Sequence, residues 1–208
     1  MAEISAALVK QLRDKTGAGM MECKRALEEA KGDLAEAEVV LRKKGIASAS
    51  KRQGRAARAG AVGTYIHAGN QLGVLIEVNC ETDFVARTEG FQQLVKDLAM
   101  QAAAADPKYL RREDVPAAVL EKEKEIAASR ARNEGKPENV IARIVEGRLA
   151  KFYEEVCLYD QPFIKDNSFT IDHLIKTNIS KMQENISIAR FARFKVGEAA
   201  AAEAGESA

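Results

Sequence analysis

Tryptophan is absent, and aromatic residues make up only 5% of the 208-residue chain. A base-stacking nucleic-acid platform needs exposed rings in number, so that class is disfavoured. No run of 18 apolar residues exists, so no segment reads as a membrane span. The N-terminus, MAEISAALVKQLRDK, lacks the apolar core of a signal peptide. The three cysteines, Cys23, Cys80 and Cys157, are far apart and form no CxxC pair. They read as buried or idle thiols in a reducing compartment, and a cytoplasmic location is expected. Neither sign of charge dominates, with 32 Lys and Arg against 31 Asp and Glu, so a global basic field for nucleic acid is missing.

What is present reads as a soluble globular chain with much exposed helix surface: 46% hydrophobic and 30% charged residues. The length allows one large domain or two small ones. Ile4, Leu8 and Leu12 form one helical stripe, with Gly17 as a stop. Met20, Cys23, Ala26, Leu27 and Ala30 form a second, ending at Gly32. Leu34, Ala37 and Leu41 form a third, with Asp33 as N-cap and Gly45 as the expected stop. Residues 1–45 therefore predict a three-helix module. Residues 46–60 read as a basic linker with some helix. From Arg42 to Arg58 the chain carries seven basic residues and no acid, which leaves −6 for the rest against a total of +1.

Residues 61–197 predict an α+β core with an antiparallel sheet of about three strands. AVGTYIHAGNQLGVLIEVNC reads as a β-hairpin with its turn at Ala68-Gly69-Asn70. GFQQLVKDLAMQAAAA is an amphipathic helix. Two long helices near 115–156, broken at NEGKP, suit an antiparallel helical hairpin with a thin apolar line of Val119, Leu120, Ile126 and Ala127. FTIDHLIKTNISKM is one more helix, and ISIARFARFKVG a closing strand with Ile186, Ile188, Phe191, Phe194 and Val196. Residues 198–208 have nothing to bury and read as a disordered tail.

Catalytic chemistry is poorly represented. His67 and His173 have no nucleophile elbow around them. A Cys80–His67 nucleophile pair is conceivable but has no signature, and a metal set of His67, Cys80, Glu81 and Asp83 matches no ligand spacing. TGAGMM lacks the preceding strand and following Lys-Ser/Thr of a phosphate loop; a helix–helix turn with Met20 and Met21 in the bundle core is the plainer reading. A middle reading leaves one methionine exposed as an adaptable contact. No catalytic residue, cofactor, resident metal or small-molecule substrate is expected.

One corner stands out. In EVNCETDFVARTEGF a buried strand ends and the chain sets Asp83 beside Phe84, where a corner usually takes Gly, Asn or Ser. An isolated Phe belongs in the core more often than not. Here a carboxylate and a wedge are offered together, and burying a Phe in a partner contributes roughly 1.5–3 kcal/mol.

LVKQLRDKTGAGMMECKRALEEAKGDLAEA and NCETDFVARTEGF resemble the two signature stretches of the elongation factor Ts family, the nucleotide-exchange factors for elongation factor Tu. The match continues through NEGKP, VEGRLAKFYEEVCL, QPFIKD and RFKVGE and covers nearly the whole chain except the tail. The resemblance implies a ubiquitin-associated-like N-terminal module and an α+β dimerisation core. It implies that Thr82, Asp83, Phe84 and Val85 enter the GTPase near its magnesium, with the Phe wedging between helices. It implies contacts from Arg13, Met20, Met21 and Lys24, and a reach of His67 towards the phosphate-binding loop. The partner would be elongation factor Tu, GDP-bound and nucleotide-free. The single core is similar to that of the short members, in which two chains supply the two halves, so a homodimer is expected. Two other classes stay open: a helical-module adaptor with a dimeric core, and an RNA-associated factor using Arg42–Arg58.

Overall fold

A computed structural model describes residues 4–198; the expected disordered tail lies, from residue 199 onward, outside the described residues. The chain opens with three helices: α1 (Ala6–Thr16), α2 (Met20–Glu29) and α3 (Leu34–Arg52). Their local signals are those of the sequence. Ser5 accepts from Leu8 N–H at 3.2 Å, and Asp33 from Glu36 N–H at 2.8 Å. Gly17 closes α1 at φ 70°, in the left-handed region, and its N–H donates to the Arg13 carbonyl at 2.7 Å. Val9, Leu12, Cys23, Ala26, Leu27, Ala30 and Ala37 form one buried cluster.

Helix α3 does not stop at Gly45. It runs to Arg52, so much of the stretch read as a linker is helical. A glycine inside a helix costs up to about 1 kcal/mol. Here it makes room. A Cβ on Gly45 would stand 2.5 Å from Ser180 Oγ and 3.2 Å from Ser180 Cβ. The glycine is a close-approach site, and the alanines and serines after it carry the helix on.

The sheet follows, with β1 (Ala59–Ile66), β2 (Leu72–Cys80) and, near the C-terminus, β5 (Ile186–Lys195), in the antiparallel order β1-β2-β5. Between β2 and β5 lie α4 (Asp83–Ala86), α5 (Glu89–Ala105), α6 (Ala117–Asn133), α7 (Glu138–Val156), the ribbon strands β3 (Pro162–Phe163) and β4 (Asp166–Thr170), and α8 (Ile171–Met182). The α+β expectation holds, and α6 and α7 pack on each other as the predicted hairpin. The β3–β4 ribbon was not anticipated; it pairs antiparallel, Pro162 with Thr170 and Phe163 with Asp166.

Two compact units divide the described residues. One holds residues 4–61, 78–94 and 173–189; the other holds 62–77, 95–172 and 190–198. In the first, Val78, Cys80, Phe91, Leu94, Ile175, Ile179, Ile186 and Ile188 are buried, as is the helical cluster. In the second, a buried amide pair sits among apolar side chains. Gln101 Nε2 donates to Gln161 Oε1 and to the Pro162 carbonyl, both at 3.2 Å, and its Oε1 accepts from Ile164 N–H at 2.9 Å. Gln161 Nε2 donates to the carbonyls of Ala105 and Glu155. Satisfied in this way, two buried amides fix how the ribbon meets α5.

Side-chain alternation is regular in β1 and slips in β5. Val62, Thr64 and Ile66 of β1 point to the exposed face, while Ala59, Ala61, Gly63 and Tyr65 are half-buried. In β5, Ile186 and Ile188 are buried, then Ala189 and Arg190 are both exposed, and Phe191 and Arg193 become the inward pair. That slip leaves Phe194 69% exposed and Val196 exposed too. The hairpin seam also shifts: Ala127, Ala131 and Ile141 are buried, and Ile126 is exposed.

All three cysteines are free and buried, as the sequence suggested. Burial pushes the Cys157 thiol up to about 11, the Asp160 carboxylate adding to it and Arg112 opposing. A folded value above the unfolded one gives stability that is complete below pH 9.0 and lost as pH rises to about 11. We expect a loss on the order of 2–3 kcal/mol across that window. In urea unfolding the wild type should lose stability more steeply there than Cys157→Ala; parallel curves would contradict this assignment.

Candidate functional site

Strand β2 ends at Cys80, and the backbone N–H groups of Glu81 and Thr82 leave the ladder there. Both donate to Glu184 Oε2, at 3.1 and 3.0 Å, and the Thr82 hydroxyl donates to Glu184 Oε1 at 2.6 Å. Thr82 is also the N-cap of α4: its Oγ1 accepts from Val85 N–H at 3.4 Å. Helix α4 is the TDFV corner, a single turn.

The far end of that turn is held as firmly. Thr88 Oγ1 donates to the Val85 carbonyl at 2.7 Å and accepts from Phe91 N–H at 3.3 Å. Gln92 Nε2 donates to the Ala86 carbonyl at 2.7 Å. Ala86 is buried and Val85 half-buried. Asp83 and Phe84 then have only one way to face. Phe84 is 79% exposed, and Asp83, ion-paired to Arg87 at 2.8 Å, is exposed beside it. The plain reading of Phe84 as a core residue is thereby overturned.

The other candidates are also on the surface. Met20 and Met21 are both exposed, so neither is a bundle-core residue. Met20 and Lys24 lie one turn apart on α2 and share a stripe, and Lys24 Nζ lies 4.0 Å from Glu28. Arg13 is exposed in the last turn of α1. The N-terminus of α2 is occupied by its own side chain: Glu22 accepts from Gly19 N–H at 3.2 Å. His67 is exposed at the end of β1, where its N–H donates to the Leu72 carbonyl to close the hairpin. Its Nδ1 lies 3.0 Å from the Tyr65 hydroxyl, which fixes the ring's orientation.

The enzymatic alternatives find little support. Burial raises the Cys80 thiol above its ordinary value, with Glu184 next in effect, and Sγ donates to the Thr82 carbonyl at 3.1 Å. A thiol held protonated is a poor nucleophile. Among the described residues no three His, Cys, Asp or Glu side chains are grouped to hold a metal ion, so His67, Cys80, Glu81 and Asp83 do not form a cage. The basic run is partly neutralised: Lys44 pairs with Glu29, and Arg55 with Glu81 at 3.5 Å.

Glu184, Thr88 and Gln92 were not among the residues singled out from sequence. A Thr just ahead of an amphipathic helix is a recognisable cap for α5. Glu184 lies 102 residues from Thr82 and has no local signal.

The family profile described as Elongation factor TS matches residues 12–198. The chain is 63% identical over 205 residues to the elongation factor Ts of Solibacter usitatus, covering 99% of this chain and 97% of that one. It is 60% identical to that of Koribacter versatilis over 94% and 89% of the two chains. It is 59% identical to that of Anaeromyxobacter dehalogenans (strain 2CP-1) over 95% and 90%.

An exposed Phe84 makes a simple prediction. Phe84→Ala should change the free protein's unfolding free energy by less than about 0.5 kcal/mol, whereas a core Phe would cost about 3–5 kcal/mol. Urea unfolding of the two proteins checks it.

Proposed function

Because the chain belongs to the elongation factor Ts family, we propose that it is a guanine-nucleotide exchange factor that binds elongation factor Tu·GDP and speeds GDP release. The observation that carries this reading is Phe84, exposed beside a carboxylate on a turn held at both ends. Thr82, Asp83, Phe84 and Val85 enter the GTPase near its magnesium. Phe84 fills a gap between helices, and Asp83 holds the displaced element by hydrogen bonds. Magnesium bridges the phosphates and the phosphate-loop hydroxyl, so a small displacement of its ligands weakens nucleotide binding.

Arg13, Met20, Met21 and Lys24 rest on the GTPase domain, and His67 reaches towards the phosphate-binding loop. Methionines are suited to such a contact because the unbranched thioether repacks easily. Linkage makes the effect reciprocal: whatever ratio the factor takes from GDP affinity, GDP takes from the factor's affinity. Nucleotide therefore expels the factor, and the cycle needs no covalent step. The nucleotide-free complex is its intermediate, and the cytoplasm its place.

The same reading includes a homodimer. Support comes from the exposed sheet face, where Val62, Ile66, Leu75, Phe194 and Val196 are apolar and open. Ile66, Leu75, Phe194 and Val196 border a groove of about 530 Å³. Glu77 and Arg190, paired at 2.8 Å, lie in the strands of that sheet. Apolar patches of this kind mark association surfaces.

Release of a fluorescent GDP analogue from elongation factor Tu, chased with unlabelled GDP, tests the exchange. The wild type should accelerate release, and Phe84→Ala should lose at least tenfold of that acceleration, about 1.4 kcal/mol of barrier. No acceleration by folded wild type would sink the proposal. Sedimentation tests the dimer: the wild type should run as a dimer and Phe194→Asp as a monomer, and a monomeric wild type would remove that part.

A further inference from the structure

We propose that Glu184 is a positioning residue for exchange: its carboxylate holds the corner at residues 81–85 so that Phe84 is presented before any partner arrives. The proposal rests on the exchange reading above and adds to it how the wedge is aimed.

A one-turn helix cannot hold itself, because nucleation fixes several residues for a single hydrogen bond. Helix α4 has four residues. What fixes its entry is a reciprocal clamp between two chain segments. Glu184 takes the two N–H groups that β2 leaves unpaired, and the Thr82 hydroxyl that caps the helix. In return the Glu81 carboxylate accepts from Asn185 N–H at 2.6 Å. Asn185 Nδ2 donates to the carbonyls of Gln53 at 3.2 Å and Arg55 at 2.6 Å, and Arg55 Nη1 lies 3.5 Å from Glu81. Each segment thus offers its carboxylate to the other's backbone, and the end of α3 closes the ring.

The turn that delivers Glu184 is itself unusual. Gln183 has φ 61°, left-handed for a non-glycine residue. It is held there by its N–H to the Ile179 carbonyl at 2.9 Å, its amide to the Ser180 carbonyl, and the Arg52 guanidinium. Backbone strain kept by several side chains marks a geometry that the fold specifies. That geometry aims a carboxylate at two amides and a hydroxyl in one place. Three hydrogen bonds to one charged group are strong and directional. With the clamp, the ordering of residues 81–85 is complete in the free protein. Without it, that ordering falls within the binding step and weakens binding.

The effect should therefore appear in the factor concentration needed, not in the rate at saturation. In the fluorescent-GDP assay, Glu184→Ala should raise the half-saturating concentration about tenfold and keep its plateau within about twofold of wild type. Glu184→Gln should fall between Glu184→Ala and the wild type, because the amide oxygen can still accept both N–H groups while the charge and the acceptor for the Thr82 hydroxyl are lost. Hydrogen exchange on the free protein gives a readout without the GTPase. The Glu81 and Thr82 amides should lose protection in Glu184→Ala while α8 keeps its own. Unchanged protection at those amides overturns the clamp. So does a wild-type half-saturation in Glu184→Ala, measured where the wild type is active and Phe84→Ala is not. A global loss of protection would make Glu184 merely structural and also overturn it. A wild type that does not accelerate release fails the exchange reading instead, and the functional role of Glu184 falls with it.

Discussion

Where a strand ends, the next backbone N–H groups lose their ladder partners, and the end of β2 is organised by where those groups are paired. The acceptor is a carboxylate from the far end of the chain, Glu184, and it satisfies two amides and a hydroxyl together. Once those groups are paired, the chain is free to turn at once. No glycine is needed at the corner, because Thr82 caps the turn and Glu184 fixes its approach. That is the physical answer to why Asp83 and Phe84 occupy a position where small turn residues are usual. The exposed ring is tolerable because the base beneath it is rigid, with Ala86 buried and its carbonyl tied by Gln92.

Features set by neighbours in sequence were legible from sequence. Ser5, Asp33 and Gly17 mark helix ends by chemistry confined to one turn, and the β1–β2 hairpin announces itself through alternation and Gly69-Asn70. The break between α6 and α7 follows from Gly135 and Pro137. Asp83 and Phe84 stand out at their corner in the sequence, the family resemblance adds Thr82 and Val85, and their presentation on the surface comes only with the fold. Features decided at long range were not legible. Gly45 looks like a stop until Ser180 is seen against it. The slip in β5 turns Phe194 outward, and no local signal marks where it falls. The buried Gln101–Gln161 pair has no periodic signal at all, since most of its partners lie 56 to 63 residues away in sequence. Met20 shows the same limit: it has core spacing and lies outside the core, and composition cannot tell a spare methionine from a packed one.

The charge distribution follows the same logic. The stretch from Arg42 to Arg58 has no local acid, and read alone it looks like a site for a polyanion. In the folded chain Lys44 meets Glu29, Arg55 meets Glu81, and Arg52 reaches Ser48 and Gln183. Exposed pairs of this kind add little stability, about 0–1 kcal/mol each. Their effect is on where chain segments lie: a basic run that looks like a tether in sequence is fastened at Lys44, Arg52 and Arg55.

The seam between α6 and α7 has its own consequence. Its buried positions are two alanines and one isoleucine, Ala127, Ala131 and Ile141. Small side chains let two helices come close but remove little apolar surface from water. Intrinsic helix propensity, from a stretch rich in Ala, Glu, Lys and Arg, has to supply the rest. A segment held in that way opens locally at a lower free energy than the buried sheet does. Among the described residues, the loop after Asn133 should therefore become accessible to a protease well before the buried sheet unfolds.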